Sequence, residues 1–325
     1  MIFIGFTHLS FDFNGISCNI RYLNNENNLH MKKLDNTSAI VPYSGITLEN
    51  IEFYKKNGFL IAEDLFSSDQ IDDIKIETLN IFKGGRGLIE GLQKASEQDN
   101  EIDILRKYLC IHFPHKLSPV IYKYMSHNRM VNILKEIISP NVKSMQSMLF
   151  VKAPGKPGQS WHQDEYYIPT RDCSLTGAWI AIDDADIENG CIWVIPQTHN
   201  PAKIYSRKLY DGKEYGEHDI IDPTLFDHSK AIPVEVKSGA VVFFNGYLLH
   251  SSGRNHSKDR FRRALVYHYM SAESYLPWDQ DGRLPLTNDM RDIVMVAGTD
   301  PYEHKGIEDL NKAYLRPDLQ RIIKE

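Results

Sequence analysis

Cysteine is scarce in this chain. Cys18, Cys110, Cys173 and Cys191 are the four in 325 residues, and no two form a Cys-x-x-Cys pair. That spacing argues against a thiolate zinc site or a disulfide framework and favours a reducing cytoplasm. Long apolar runs are missing as well: nothing approaches the roughly 18 consecutive apolar residues of a membrane span. No Lys or Arg precedes Arg21, and Asp12 and Asn14 break up the first twenty residues, so a secretory leader is not expected. Positive charge is not in excess. Lys and Arg number 37 against 43 Asp and Glu, a formal charge of −6, which speaks against a dedicated nucleic-acid surface. The nucleotide fingerprint Gly-x-Gly-x-x-Gly is absent; Gly84-Gly85-Arg86-Gly87 has neither its order nor a preceding strand and reads as a flexible connection. No repeat appears at solenoid periods. What remains is the composition of a soluble globular protein, 42% hydrophobic and 25% charged, with no membrane or nucleic-acid partner expected and the oligomeric state open.

The chain divides into three parts. Residues 1 to about 45 crowd Asn24, Asn25, Asn27 and Asn28 together and close on Pro42 and Gly45. They read as a variable, poorly ordered extension, or as a small β element built on Phe3, Ile4 and Phe6. Residues 46–275 read as the main domain. Thr47 can cap a helix that Gly58 ends, and Ser67 to Gln70 has capping-box spacing ahead of Ile71, Ile74, Thr78 and Phe82. A further helix is predicted from about Asn128 to Ile138. Strands are predicted over 148–152, 160–167, 178–183, 191–195, 231–236, 240–245 and 262–270, with Asn189-Gly190 suited to a type I′ hairpin turn. Helices followed by many antiparallel strands predict an α+β chain whose second half is a barrel or jelly roll. Residues 276–325, carrying Pro277, Pro285, Pro301 and Pro317, read as a C-terminal tail of loops and short helices wrapping it.

The chemistry gathers at Trp161-His162-Gln163-Asp164. In a strand, residues i and i+2 share a face, so His162 and Asp164 can grip one metal ion together. Two histidines and one carboxylate make the open-faced triad of non-haem Fe(II) oxygenases. His250, at the end of the apolar run 241–249, is the candidate third ligand. Beyond a polar turn, alternation in the next strand puts Arg262, Ala264 and Val266 on one face and Arg263, Leu265 and Tyr267 on the other. An inward arginine in an apolar barrel calls for a carboxylate partner, which a dicarboxylate co-substrate would supply. Arg260 shares the face of Arg262 and competes for that role.

The order His162-Gln163-Asp164, Tyr167, Pro169, Arg171, then Ala178-Trp179, Asn189-Gly190-Cys191, Ile195-Pro196 and Thr198-His199, then His250-Ser251-Ser252-Gly253, Asn255 and Phe261-Arg262 with Ala264, resembles the phytanoyl-CoA dioxygenase family over roughly residues 47–270. That resemblance implies a double-stranded β-helix, a jelly-roll or cupin-like barrel with N-terminal helices packed on it. It implies Fe(II), 2-oxoglutarate as co-substrate and O2, with iron on His162, Asp164 and His250. Arg262 would pair with the far carboxylate of 2-oxoglutarate, and Met148 and Trp179 would line its pocket or serve as ordinary core. The family's lysine contact has no clear counterpart; His112 and Lys116, near His115, are the nearby candidates.

The implied reaction is hydroxylation of an aliphatic C–H of a small-molecule or acyl substrate, with release of succinate and CO2. Asp164 favours this branch, because related iron halogenases lack the carboxylate. Two other readings use the same scaffold: a cupin-like metal-dependent isomerase or hydrolase without 2-oxoglutarate, and a non-catalytic metal- or ligand-binding protein. Lys152, Lys156, Lys203 and Arg207 could contact phosphates, and the segment 202–230 reads as a lid or substrate loop.

Overall fold

The computed structural model describes residues 36–317 apart from 94, 95, 97, 211–214, 216–218 and 278–288. The extension expected over residues 1–45 therefore lies outside the described residues up to residue 35. From Asn36 the chain is anchored: Ala39 and Val41 are buried, and the Val41 N–H donates to the Ile61 carbonyl.

Five helices precede or interleave the first strands: α1 (Leu48–Asn57), α2 (Ser68–Phe82), α3 (Glu101–Arg106), α4 (Pro119–Met125) and α5 (Asn128–Ile137). Thr47 and Ser67 each form a capping box, with Asn50 and Gln70, which satisfies amide groups that a helix start leaves unpaired. Gly58 ends α1 at φ 84°, a left-handed conformation that a residue with a Cβ adopts only under strain. The space is also closed, since a Cβ there would meet the His199 ring at 2.6 Å.

The strands are β1 (Phe59–Ala62), β2 (Tyr108–His112), β3 (Val142–Lys152), β4 (Gln159–His162), β5 (Thr176–Ala181), β6 (Ile192–Val194) and β7 (Arg207–Leu209). They continue with β8 (Asp219–Ile221), β9 (Ile232–Val234), β10 (Val241–Asn245), β11 (His250–Ser252), β12 (Arg262–Ser271), β13 (Val294–Ala297) and β14 (Tyr314–Pro317). A one-turn helix, α6 (Asp164–Tyr167), follows β4. Eight strands form a large antiparallel sheet in the order β1-β10-β5-β12-β3-β2-β14, with β13 also on β3. Four form a small sheet, β4-β11-β6-β9, and β7 and β8 pair as a ribbon within the expected lid segment. Among the described residues the two main sheets are separate, so the barrel expected from the sequence is open rather than closed by hydrogen bonds.

Side-chain alternation gives the large sheet two different faces. Leu60, Ile180, Phe243, Leu149, Leu265, Tyr267 and Tyr269 join one core cluster with helix residues Ile74, Ile81, Ile121, Met125, Ile133 and Leu134. The buried Tyr267 and Tyr269 hydroxyls donate to the Ile121 and Met125 carbonyls at 2.6 and 2.7 Å, so burial leaves neither unsatisfied. Met148, Phe150, Trp179, Phe244, Ala264 and Val266 of the opposite face cluster instead with Ile192, Val194 and Val234 of the small sheet. The space between the sheets holds the candidate site.

Four expectations need correction. Residues 160–167 are not one strand: β4 stops at His162, and Asp164 opens α6. The apolar run 241–249 is broken by a turn at Gly246 and Tyr247, so His250 begins a strand of the other sheet. Arg262 does not lie in the strand next to His250, because β11 pairs with β4 and β6 while β12 pairs with β3 and β5. Asn189-Gly190 makes no type I′ hairpin; only Gly190 takes a positive φ, 85°, and β5 and β6 sit in different sheets. The common cause is a chain that crosses between sheets at short turns, which local patterning reads as continuous. The tail, expected as loops and short helices, adds β13 and β14 to the large sheet. No described helix is long and apolar enough to cross a membrane.

Candidate metal centre

His162 is the last residue of β4 and His250 the first of β11, and the two are direct partners across the small sheet. Their ring centroids lie 4.0 Å apart. Each Nδ1 faces a backbone carbonyl two residues earlier, Ser160 at 2.7 Å and Leu248 at 3.0 Å. A carbonyl only accepts, so Nδ1 carries the proton and Nε2 presents its lone pair. Asp164 arrives from α6 with Oδ1 at 3.7 Å from His162 Nε2 and 3.6 Å from His250 Nε2. All three ligand atoms lie within 4.8 Å of one another, each on a buried residue.

The sheet-to-helix turn that aims Asp164 is set by Gln163, which is fully buried. Its amide nitrogen donates to the Lys203 and Tyr247 carbonyls at 2.8 and 2.7 Å, and its Oε1 accepts from the Tyr205 amide at 2.9 Å. The Glu165 amide donates to the Gly246 carbonyl, tying the turn to the crossover before His250. On the far side His268, on β12, donates from Nε2 to Asp164 Oδ2 at 3.1 Å. One carboxylate oxygen is thus occupied by His268 while the other faces the imidazoles. Such outer partners orient metal ligands.

The electrostatics suit a cation. Burial, reinforced by His250 nearby, pushes the His162 imidazole down to about 3, so it is neutral at physiological pH, with Nε2 accepting from the Gln159 side-chain amide at 3.1 Å, a contact that a bound ion would displace. Burial would raise Asp164, but His250, His268 and His162 outweigh it and hold the carboxyl well below the usual carboxylate range. Two imidazole nitrogen donors and one ionised oxygen donor, on three buried side chains, fit a divalent first-row ion with open positions.

A cavity extends from this triad between the sheets. Arg262 borders it, 3% exposed, with Nε donating to the Gly190 carbonyl at 3.1 Å and the guanidinium 5.5 Å from the Trp179 ring centre. Gly190 is required here, because a Cβ would meet the Gly253 carbonyl oxygen at 2.4 Å. Burial lowers Arg262 to about 10, which leaves it charged at neutral pH. Among the described residues no carboxylate pairs with it. Its neighbours behave differently: Arg263 makes a two-pronged pair with Asp183 at 2.8 and 2.7 Å, and Arg260 pairs with Asp186 and Glu188 at the surface. A buried guanidinium facing a cavity fits a carboxylate ligand.

Met148 and Trp179 flank Val266 in register, and all three border the cavity. His112 lies opposite Met148 but stacks on Tyr314, ring centres 4.4 Å apart, and burial with the charge of Arg316 pushes it down to about 4. Lys116 pairs with Asp292 and Asp309, and His115 bonds Ser147. Neither Lys116 nor His115 borders the cavity. Sequence reasoning missed His268 and Gln163, for which the signal was present in principle, a histidine six residues after Arg262 on the same face and a fully polar residue inside a ligand motif.

Residues 54–264 match the model of the family described as phytanoyl-CoA dioxygenase. The chain belongs to the phytanoyl-CoA dioxygenase family. As a member it is an iron- and 2-oxoglutarate-dependent dioxygenase that uses O2. It is 27% identical over 246 residues to the peroxisomal phytanoyl-CoA dioxygenase of Rattus norvegicus, covering 70% of this chain and 69% of that protein. Phytanoyl-CoA dioxygenase 1 of Oryza sativa subsp. japonica is 26% identical over 261 residues, 71% of this chain and 92% of that one. Among solved structures, a non-heme alpha ketoglutarate dependent carbocyclase from nogalamycin biosynthesis superposes with TM-score 0.58 at 22% identity, over 78% of this chain and 98% of that one. At that identity the likeness speaks for the fold, the jelly roll of such oxygenases.

Proposed function

We propose that this phytanoyl-CoA dioxygenase family member hydroxylates an aliphatic C–H bond of a small-molecule or acyl substrate while converting 2-oxoglutarate to succinate and CO2. The supporting observation is Asp164, an ionised carboxylate converging with the imidazoles of His162 and His250. Iron held there supplies oxidation of an unactivated C–H bond by O2. His162, His250 and Asp164 would hold the ion through Nε2, Nε2 and Oδ1, and the protonated Nδ1 atoms keep both rings in the ligating tautomer. Arg262 would hold the far carboxylate of 2-oxoglutarate, with Met148 and Trp179 flanking it. Phe150, Phe244 and Ile192 keep the cavity wall apolar, which limits access of bulk water.

The two facing sheets fit a double-stranded β-helix catalytic domain over residues 46–275, with 276–325 as an added C-terminal part and 1–45 as a variable extension. We place the protein in the cytoplasm; the described cysteines Cys110, Cys173 and Cys191 are free, which suits a reducing compartment. Localisation of a tagged full-length chain to another organelle would overturn that placement.

Anaerobic addition of Fe(II) and 2-oxoglutarate should produce a metal-to-ligand charge-transfer band. On admission of O2, mass spectrometry of a turned-over substrate should show a gain of one oxygen atom. A ring closure or epimerised product with equal succinate release would keep the oxygenase class and overturn the hydroxylase reading.

A further inference from the structure

Gln159 touches the ligating atom of His162. Its side-chain amide nitrogen lies 3.1 Å from His162 Nε2. Nδ1 of that ring is committed to the Ser160 carbonyl, so Nε2 holds the lone pair and the Gln159 amide is the donor. The two residues are three apart in sequence, a spacing that a regular strand turns to opposite faces. β4 is not regular. His162 pairs with His250 and Gln159 with Ser252, so two residues separate the pairs on β4 and one on β11, the mark of a bulge. Gly158 lets the chain enter the bulge close to β11, because a Cβ there would meet the Ser252 carbonyl oxygen at 2.3 Å. The extra residue brings Gln159 round beside His162 on the cavity wall.

The amide and a metal ion compete for one lone pair, so loading the site releases the Gln159 amide. Its place on the wall decides where it turns. Ser252, its strand partner, accepts from the Gln159 backbone N–H at 3.3 Å and from Lys152 Nζ at 2.8 Å. Lys152 is in turn the β3 partner of Arg262. Asp164 leans the other way, on His268, and His268 and Arg262 border the cavity from one face of β12. Gln159 therefore stands on the Arg262 side of the triad. A 2-oxoglutarate that binds the ion with one end and reaches Arg262 with the other passes Gln159. Asp164 is no alternative acceptor for the released amide, since His268 holds Oδ2 and Oδ1 faces the imidazoles. The acceptors that loading brings in are the oxygens of the co-substrate, and a polar group in a partly closed cavity takes the partner it is offered.

We infer that Gln159 binds the chelating end of 2-oxoglutarate, donating its amide to the keto or C1 carboxylate oxygens once an ion has displaced it from His162. The inference rests on the iron and 2-oxoglutarate reading and adds a donor at the end of the co-substrate opposite Arg262. Arg262 fixes the far carboxylate, and Gln159 orients the atoms that meet the ion. Before loading, the same amide holds the His162 ring in its ligating tautomer.

The full-length chain is titrated calorimetrically with Co(II) alone, and anaerobically with 2-oxoglutarate in the presence of Fe(II), read by the charge-transfer band. Gln159→Leu should bind Co(II) as tightly as the wild type or more tightly, because a competitor for the lone pair is gone. It should weaken the 2-oxoglutarate midpoint by about ten-fold or more, the size of a hydrogen bond to a charged group. Its band should move to shorter wavelength, because losing a donor raises the acceptor orbital on the keto group. Gln159→Glu keeps the shape but sets a carboxylate against a carboxylate, and should weaken 2-oxoglutarate at least as far. A 2-oxoglutarate midpoint within about two-fold of the wild type in either variant, or an unmoved band in Gln159→Leu, would overturn the assignment. Weaker Co(II) binding by Gln159→Leu would overturn it too, by making Gln159 a support of the His162 ring alone. Absence of the charge-transfer band in the wild type would strike the iron reading instead.

Discussion

Arg262 and Arg263 are consecutive residues of one strand with opposite surroundings. Arg263 turns to the helix side of the sheet and meets Asp183 in a two-pronged pair, partly exposed to solvent. Arg262 turns inward, is nearly fully buried, and meets a backbone carbonyl and the face of Trp179. The whole strand repeats the contrast. Leu265, Tyr267 and Tyr269 fill the core under the helices, whereas Arg262 and His268 bracket Ala264 and Val266 on the cavity side. One face is internally satisfied; the other carries polar groups whose partners are external or belong to the metal centre. That asymmetry separates what holds the fold from what performs the reaction.

Removing a ligand should break the cavity face most completely. Asp164→Ala is expected to lower Fe(II)-dependent succinate release by more than about 100-fold, beyond the loss typical of outer partners, with the urea midpoint of the metal-free protein largely unchanged. Arg262→Met should weaken 2-oxoglutarate by on the order of 30-fold or more, as for truncating one member of a buried charge pair; titration of the charge-transfer band reads this directly. His268→Phe should lower Fe(II) affinity by about 10–100-fold, with His268→Gln recovering part of it through an amide donor to Asp164. Arg263→Met tests the opposite face: it should cost about 1 kcal/mol of stability, discounted for partial exposure, and leave the 2-oxoglutarate midpoint alone. An Arg263 variant that instead impaired co-substrate binding would erase the distinction between the faces.

The helix side has a pH signature of its own. Burial pushes His115 down to about 4, below the roughly 6.5 of an unfolded histidine. Between those values the unfolded chain binds the extra proton, so stability present above about pH 6.5 is lost as the pH falls through about 4. His115→Gln should flatten that acid slope in denaturation midpoints measured at pH 7 and pH 4.5.

Much of this was legible in the amino-acid order, and the rest depended on contacts far apart in sequence. His162, Asp164 and His250 were singled out as candidate ligands by type and order, and their donor atoms do converge. The reason given for the first pair was wrong, however: Asp164 joins the two histidines from a helical turn, not from the same strand face. Pattern reasoning assumes continuity, and a sheet crossover at Gln163 or Gly246 is only a residue or two long. Helix starts were readable because caps are local, as at Thr47 and Ser67. His268 could be placed on the face of Arg262 by alternation, but its meeting with Asp164 was not readable, because it joins segments about a hundred residues apart in the chain. A four-residue strand such as β14 has too little periodicity to announce itself.

The direct pairing of His162 with His250 has a thermodynamic corollary. Two of the three candidate donors sit at facing ends of β4 and β11, and the third hangs on the turn that follows β4, so an ion held there would bridge segments that are distant in the unfolded chain. Loading the site would then also clamp the small sheet, and free metal ion would become a folding ligand whose chemical potential sets how much of the chain is native. A metal-starved cell would lose this protein twice, first as a reaction rate and then as a folded population.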